Sequence, residues 1–190
     1  MNSPIELFAD TEFAPFPKIP RYSRECVVTE KIDGTNAQIV VHPDGTVRAA
    51  SRRRWITPDS DNFGFAAWVE ANRDDLRRLG PGRHYGEWWG LGIQRGYGLF
   101  ERRFSLFNVH RWNDETAPKC CHVVPLIHIG PFGTATVETA MDRLRLHGSA
   151  AAPGWKEPEG VVIYHQASGH LYKKLLVDDD KPKGNPFNAE

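Results

Sequence analysis

Apolar and β-branched side chains are grouped along this 190-residue chain in short runs that predict strands joined by tight turns. Residues 25–31 form the first run, and Asp33-Gly34 separates it from a second run at residues 37–42. The sequence Pro43-Asp44-Gly45-Thr46 is a strong hairpin signal. We therefore expect residues 47–50 to return antiparallel to the second strand.

Two segments carry a helical pattern instead. In residues 63–79 apolar positions recur among charged ones, and Gly80-Pro81-Gly82 ends the segment. Residues 134–146 form the other, with threonine near the start. Four more runs are typical of strands: residues 84–89, 104–110, 161–164 and 170–177. Strands dominate, so we expect an α+β fold of mainly antiparallel sheets with flanking helices.

The two ends of the chain differ from its middle. Residues 1–22 contain Pro4, Pro15, Pro17 and Pro20, which fix φ and remove backbone donors, so an extended lead-in is expected there. Residues 178–190 are charged and contain two prolines, which predicts a frayed tail. One domain over residues 23–177 remains, and its length is ordinary for a single domain.

The charge balance limits how this chain could hold a polyanion. It has 24 basic and 24 acidic residues, whereas a protein that holds nucleic acid by bulk positive charge is usually more basic. Such a contact must come from local clusters, of which two stand out: Arg52-Arg53-Arg54, and Arg95 with Arg102-Arg103. Each cluster is explained equally well as solvated surface charge.

The sequence indicates neither a membrane span nor a disulfide-bonded fold. It has no run of 18 apolar residues, and its N-terminus lacks the basic start and apolar run of a signal peptide. Three cysteines make an odd count, so we expect a cytoplasmic protein. Cys120-Cys121-His122, with His128 nearby, matches no standard zinc spacing, and buried or strand-edge positions explain these residues better.

The segment Glu30-Lys31-Ile32-Asp33-Gly34-Thr35-Asn36 holds the main candidate for chemistry. Lys31 ends a strand-like run just before a turn, where the strand can hold its amine at the mouth of a pocket. A lysine amine is nucleophilic only when it is neutral, which requires desolvation or a nearby cation such as Mg²⁺. Taken alone, the segment is better explained as a solvated lysine beside a turn.

Five more segments make a chemical role for Lys31 the better explanation, because they follow the first segment in a fixed order. They are Ser51-Arg52, Gly86-Glu87-Trp88-Trp89-Gly90, Phe104-Ser105-Leu106-Phe107-Asn108-Val109, Glu159-Gly160-Val161-Val162 and Leu171-Tyr172-Lys173. Together the six resemble the ordered motifs of the covalent nucleotidyltransferases, which comprise ATP-dependent RNA and DNA ligases and mRNA capping enzymes. The flanking Glu30 and Asn36 make the resemblance closest to the RNA ligases. It implies a nucleotidyltransferase (ATP-grasp-like) domain that uses ATP with Mg²⁺ or Mn²⁺.

The resemblance also implies a role for each motif. Lys31 would be the nucleophile that forms a covalent lysyl-AMP, and Lys173 would neutralise the α-phosphate as pyrophosphate leaves. Glu159 would bind the metal ion. Nucleotide contacts are implied for the following set: Glu30, Asp33, Gly34, Asn36, Arg52, Glu87, Phe107, Asn108, Glu159, Lys173 and Lys174.

The side-chain chemistry is compatible with three of these contacts. Arg52 could donate two hydrogen bonds to a phosphate, where the alternative is surface charge. Glu87 could accept from ribose hydroxyls, where the alternative is a structural ion pair. Phe107 could stack on adenine, although a phenylalanine in a strand is more often plain core.

Two motifs depart from the family pattern. Asn108 stands where an aspartate is frequent, and its side-chain carbonyl could still accept from the adenine amino group. The last motif usually has two lysines separated by one residue, whereas Lys173 and Lys174 are adjacent. Successive strand residues point to opposite faces, so only one of them can face a pocket, and we choose Lys173.

The function that the resemblance implies is that of an ATP-dependent RNA ligase, which transfers AMP from Lys31 to a 5′-phosphate RNA end and seals the strand. Three alternatives stay open: a DNA ligase, a GTP-using capping-type enzyme, and a non-catalytic module that binds RNA ends. About 15 residues follow the last motif, too few for a separate OB domain. A separate protein could then supply the grip on nucleic acid, and no membrane partner is expected.

Overall fold

Two sheets and three helices make up the part of the chain that the computed structural model describes, residue 13 and residues 15–180. In chain order the elements are β1 (Glu25–Lys31), β2 (Thr35–Val41), β3 (Val47–Ser51), β4 (Trp55–Ile56), α1 (Phe65–Ala71), α2 (Arg73–Leu76), β5 (Gly82–Gly90), β6 (Arg102–Leu106), β7 (His122–Val123), β8 (Leu126–Pro131), α3 (Thr134–His147), β9 (Gly160–His165) and β10 (His170–Leu175), with 3₁₀ helices at Arg77–Leu79 and Gly96–Gly98. The predicted α+β fold of mainly antiparallel sheets is confirmed.

The first sheet has the strand order β10-β9-β1-β8, and all its pairings are antiparallel. Alternation gives β1 two different faces. Cys26 and Val28 point to α3 and pack with Met141 and Leu144 in one hydrophobic cluster. The residues between them, and Lys31 at the end of the strand, therefore face the other way, toward the second sheet.

The second sheet has the order β4-β3-β2-β5-β6-β7, in which only the pairing of β6 with β7 is parallel. One of its faces packs against α1 and α2 in a cluster that contains Ile39, Phe65, Leu76, Trp88 and Phe104. Its other face turns to the first sheet. A smaller cluster around Ile32, Trp89 and Tyr97 closes one end of the space between them.

Two predicted elements have different bounds in the structure. The helix predicted over residues 63–79 is broken into α1, α2 and a 3₁₀ turn, because Asn72 leaves the helical conformation at φ −109°. The strand predicted over residues 104–110 ends at Leu106, since Asn108 starts a turn in which its own side chain accepts from the backbone N–H of Arg111.

Three strands were not predicted: β4, β7 and β8. The first two have only two residues each, and β8 is an edge strand in which polar, glycine and proline residues interrupt the apolar pattern. Residues 15–24 contain neither helix nor strand. The rest of the predicted lead-in, residues 1–12 and 14, and the tail beyond residue 180 lie outside the described residues.

Candidate functional site

A cavity of about 680 Å³ lies between the two sheets. Its walls come from β1, β9 and β10 on one side, and from β2, β5 and the segment after β6 on the other. Small-molecule sites typically have volumes of roughly 300 to 1,000 Å³. Six of the predicted site residues border the cavity: Glu30, Lys31, Asn36, Glu87, Phe107 and Asn108.

Lys31 lines this cavity, and its amine contacts the carboxylate of Glu159. Lys31 Nζ lies 2.5 Å from Glu159 Oε2, and the two side chains are 20% and 7% exposed. The β-pairing explains the contact, because Lys31 is opposite Gly160, the residue after Glu159. The amine is thus held by a strand end in a largely desolvated ion pair, the setting in which geometry matters most.

Glu87 is the second carboxylate of the site. It is opposite Asn36 in the pairing of β2 with β5, and Asn36 Nδ2 donates to its Oε2 over 2.9 Å. Burial raises the pKa of Glu87 to about 7, against the opposing effects of the Lys31 charge and the hydrogen bond from Asn36. The carboxyl is therefore poised between its two protonation states near neutral pH.

The turn after Lys31 is fixed by residues that are distant in sequence. Asp33 forms an ion pair with Arg95, whose Nε lies 3.0 Å from Asp33 Oδ2, and Arg95 also donates to the carbonyl of Glu157. The backbone N–H of Asp33 donates to the hydroxyl of Tyr97 over 2.8 Å. Asp33 is consequently a structural anchor of the turn, which Arg95 joins to the segment that leads into Glu159.

Gly34 has no room for a side chain. A Cβ at this position would lie 2.5 Å from the backbone oxygen of Trp88 and 2.7 Å from Cβ of Trp89. Glycine at this position therefore allows the turn to pack directly on β5.

Glu30 borders the cavity, but its carboxylate does not serve it. Its two oxygens accept from Ser149 Oγ at 2.6 Å and from the backbone N–H groups of Ala150 and Ala151 at 2.7 and 2.9 Å. Burial raises its pKa against these three hydrogen bonds. Alternation along β1 turns the Glu30 side chain away from Lys31, toward residues 149–151, so its contact with a nucleotide stays a prediction.

Phe107 and Asn108 border the cavity from the segment after β6. The ring of Phe107 is 40% exposed, so it is not the plain core residue that a strand phenylalanine usually is. Asn108 Oδ1 accepts from the backbone N–H of Arg111 over 3.1 Å. The side-chain carbonyl that was expected to read adenine therefore already has a donor within its own turn.

The adjacent lysines Lys173 and Lys174 lie on opposite faces of β10. Lys173 is opposite Val162, which lines the cavity, whereas Lys174 is opposite Val161 in the α3 cluster. The amine of Lys174 lies 3.5 Å from Glu138 on α3 and 3.8 Å from Asp179. Lys174 thus points toward α3. Lys173 lies on the strand face that borders the cavity, although it is not one of the lining residues, and a nucleotide contact of either lysine stays a prediction.

The two arginine clusters have different surroundings. Arg95 pairs with Asp33, Arg102 donates to two backbone carbonyls and Arg103 pairs with Glu101, so this second cluster serves the fold. Arg52 is exposed in the turn between β3 and β4, outside the cavity lining. No side-chain hydrogen bond or ion pair engages it within residues 15–180.

The match to a known family decides the identity. A family model described as RNA ligase matches residues 24–175, which is most of the chain. The chain belongs to the RNA ligase family. No curated protein matches it significantly.

Solved RNA ligases share the fold of this family member. A Naegleria gruberi RNA ligase mutant with ATP and Mn has a TM-score of 0.60 and 18% identity, over 86% of this chain and 53% of that one. An archaeal ATP-dependent RNA ligase has a TM-score of 0.57 and 19% identity, over 86% and 48%. A further Naegleria gruberi RNA ligase mutant, in its apo form, has a TM-score of 0.57 and 17% identity, over 80% and 50%. This chain thus spans about half the length of these ligases.

Sequence reasoning missed the residues that support the motifs of this RNA ligase family member. Asp33 is held by Arg95 and Tyr97, and Glu30 is held by Ser149. These partners lie 62 to 119 positions away along the chain. Only Arg95 had been singled out, as part of a surface cluster. A sequence signal was available for Glu30, because it alternates with Lys31 on a strand and must face the other way.

Two carboxylates, those of Glu159 and Glu87, lie near the Lys31 amine. Glu159 offers hard oxygen ligands of the kind that Mg²⁺ and Mn²⁺ prefer, and Glu87 is its neighbour across Lys31. Among the described residues, at the cavity or away from it, no group of three or more His, Cys, Asp or Glu side chains is placed to hold a metal ion. Cys121 is buried, with its sulfur 3.9 Å from that of Cys120.

Over the described residues, no helix has both the length and the apolar character of a membrane span.

Proposed function

We propose that this domain is the adenylylating part of an ATP-dependent RNA ligase. The neutral amine of Lys31 attacks the α-phosphate of ATP, a P–N bond forms, and pyrophosphate leaves. AMP then passes from Lys31 to the 5′-phosphate of an RNA end. A 3′-hydroxyl attacks that activated end, which forms the new phosphodiester and releases AMP. The observation that carries the proposal is the part-buried Lys31 amine against Glu159 in a cavity of nucleotide size.

Residues in and near the cavity would each make a different contact with the nucleotide. Phe107 offers an open ring face for the base, and Glu87 with Asn36 offers hydrogen-bonding groups for ribose hydroxyls. Lys173 on the cavity face, with Arg52 from the neighbouring turn, neutralises phosphate charge. Asp33 and Gly34 act indirectly, by holding the turn that follows the nucleophile.

Glu159 would have two roles, one before the reaction and one during it. Its contact with Lys31 holds the amine in place, and Lys31 must leave this ion pair and lose a proton before it attacks. Glu159 is also the residue that would hold Mg²⁺ or Mn²⁺, which would neutralise triphosphate charge when bound. Phosphoryl transfer relies mainly on such positioning and charge neutralisation.

The test of the proposal is a covalent adduct with α-labelled ATP, detected on a denaturing gel. The wild type should retain label, and Lys31→Ala should retain none, because no other residue replaces the amine at the cavity. Lys119→Ala, which changes an exposed lysine outside the cavity, is the matched control and should be labelled like the wild type. Label that persists in Lys31→Ala would refute the assignment.

A chase separates this function from its alternatives. Labelled enzyme should transfer AMP to a 5′-phosphorylated RNA end in preference to the same DNA end, and GTP or NAD should give no adduct. Transfer to DNA alone would favour a DNA ligase, and an adduct with GTP would favour a capping-type enzyme.

We further propose a cytoplasmic protein, because the three cysteines are free thiols. A partner protein that contributes grip on RNA is part of the same proposal.

A further inference from the structure

The face of the second sheet that turns to the cavity carries cations and aromatic rings in a fixed register. The outer row across the strands consists of Arg48, Val40 and Arg83. The inner row, two residues nearer the catalytic lysine, consists of Trp55, Ala50, Gln38 and Tyr85. Asn36 and Glu87 form the next row, at the cavity itself. The three rows therefore make one surface that leads away from Lys31.

This surface is distinct from the packed face of the same sheet. Val40 and Ala50 belong to none of the hydrophobic clusters, whereas their neighbours Ile39 and Ala49 belong to the α1 cluster. Alternation explains the difference. Arg83 and Tyr85 border the same cavity as Lys31, so the surface is continuous with the proposed nucleotide site.

The charges on this surface are not neutralised by their surroundings. Neither row contains an acidic residue, although the chain as a whole has equal numbers of acidic and basic side chains. The guanidinium of Arg48 lies 3.9 Å from the ring centroid of Trp55, and that of Arg83 lies 5.8 Å from it. Within the described residues neither guanidinium has a hydrogen bond or an ion pair.

Both aromatic side chains are partly exposed, although Arg48 already packs on the Trp55 ring. Trp55 is 40% exposed and Tyr85 is 51% exposed. Neighbouring strands are about 4.8 Å apart, so three strand spacings put the backbones of residues 55 and 85 roughly 14 Å apart. The side chains of Arg48 and Arg83 both reach the Trp55 ring. Exposed rings interleaved with unpaired cations are the arrangement that holds single-stranded nucleic acid, through base stacking and phosphate contacts.

We propose that this surface binds the single-stranded segment of the RNA whose end is to be joined. Bases stack on Trp55 and Tyr85, phosphates contact Arg48 and Arg83, and the strand end enters the cavity beside Lys31. An acidic protein segment fits less well, because it would use the cations and leave the rings unused. This inference rests on the proposed ligase function, and it adds the path that the RNA follows.

RNA binding by the otherwise unchanged chain tests the surface. Fluorescence anisotropy with a labelled 5′-phosphorylated 12-nucleotide RNA, without ATP, should show binding that weakens about tenfold or more in the double variant Arg48→Ala/Trp55→Ala. For Arg48→Ala alone, the slope of log K against log salt concentration should decrease by about 0.7, the value for one lost phosphate contact. Arg145→Ala, an exposed arginine on α3, is the control of equal charge change and should leave both quantities unaltered.

The adduct assay keeps this inference separate from the proposed function. Neither Arg48 nor Trp55 borders the cavity, so both variants should form lysyl-AMP at the wild-type rate. If lysyl-AMP forms and the double variant binds RNA like the wild type, the surface is wrong while the ligase function stands. If poly-glutamate competes with RNA at equal charge concentration, the surface is a general polyanion site and stacking is refuted.

Crosslinking tests the same surface in the wild type, so its result does not depend on whether the variants fold. RNA that carries 4-thiouridine near its 5′ end should crosslink, on illumination, to peptides that contain Trp55 or Tyr85. Crosslinks confined to peptides from α3 or from β8 would overturn the proposal, because those elements lie on the far side of the first sheet or at its edge.

Discussion

At the scale of single residues, the geometry around Lys31 depends on groups outside the motifs. Tyr97 is the clearest case. It is 3% exposed, its backbone has the left-handed φ of +53°, and its ring packs edge-on against Trp89. A buried tyrosine in a conformation that favours glycine is retained only where the surroundings fix it. Its hydroxyl is the acceptor for the backbone N–H of Asp33, two residues after Lys31.

Tyr97→Phe tests this positioning role. The ring stays, but the N–H of Asp33 loses its acceptor, which costs about 1 to 3 kcal/mol when the group is buried. The rate of lysyl-AMP formation at saturating ATP should fall by about tenfold, while the KM for ATP changes little. Quenched adduct-formation reactions over a range of ATP concentrations measure both the rate and the KM.

Tyr22→Phe is the matched control, since the hydroxyl of Tyr22 has no partner among the described residues. An equal loss of rate in both variants, or a rise in KM alone for Tyr97→Phe, would contradict the positioning role.

At the scale of elements, the turn between β1 and β2 is built into β5. Gly34→Ala would place a methyl group 2.5 Å from the carbonyl oxygen of Trp88. The turn would have to move off β5, which should lower the free energy of unfolding by about 1 to 3 kcal/mol, the usual range for overpacking. Urea unfolding followed by tryptophan fluorescence measures the change.

Gly133→Ala provides the comparison, because a Cβ there meets nothing within 4 Å and the backbone is extended. It should cost at most about 1 kcal/mol, as a change at the N-cap of α3. A Gly34→Ala variant as stable as Gly133→Ala would show that the turn does not need the contact with β5.

The sequence allowed the elements to be predicted where the signal is local. The alternation in β1 and β2, the turn at residues 43–46 and the 14-residue helix α3 are properties of neighbouring residues. By contrast, Arg95 and Tyr97 act on Asp33 across more than 60 positions, and no periodicity connects them. Motif order singled out six residues that line the cavity, but only the structure shows that the Lys174 side chain and the Glu30 carboxylate point away from Lys31.

At the scale of the whole molecule, the buried carboxyl of Glu87 couples folding to pH. Its pKa is about 7 in the folded chain, against 4.5 for an ordinary glutamate. Between these values the folded carboxyl is protonated while the unfolded one is ionised, so folding takes up a proton. The free energy of unfolding therefore falls as pH rises from 4.5 to 7, by on the order of 3 kcal/mol, and levels off above that.

Glu87→Gln should remove this contribution. Urea unfolding of the wild type and the variant between pH 4.5 and 8 measures the difference in their free energies of unfolding. The advantage of the variant should grow through the window from pH 4.5 to 7 and stay constant above it. A difference that does not vary with pH would mean that the carboxyl of Glu87 is ionised in the folded chain throughout.

The side-by-side placement of Glu30 and Lys31 makes strand β1 intolerant of any change in its length. Deletion of one residue ahead of this pair, with β1 still anchored at its start, would exchange their directions. An acid would then enter the cavity, and the amine would point toward Ser149 and the backbone N–H groups of Ala150 and Ala151, which now bind the Glu30 carboxylate. A chain shortened in this way would keep nearly the same composition and circular dichroism spectrum, yet it would be inert toward ATP.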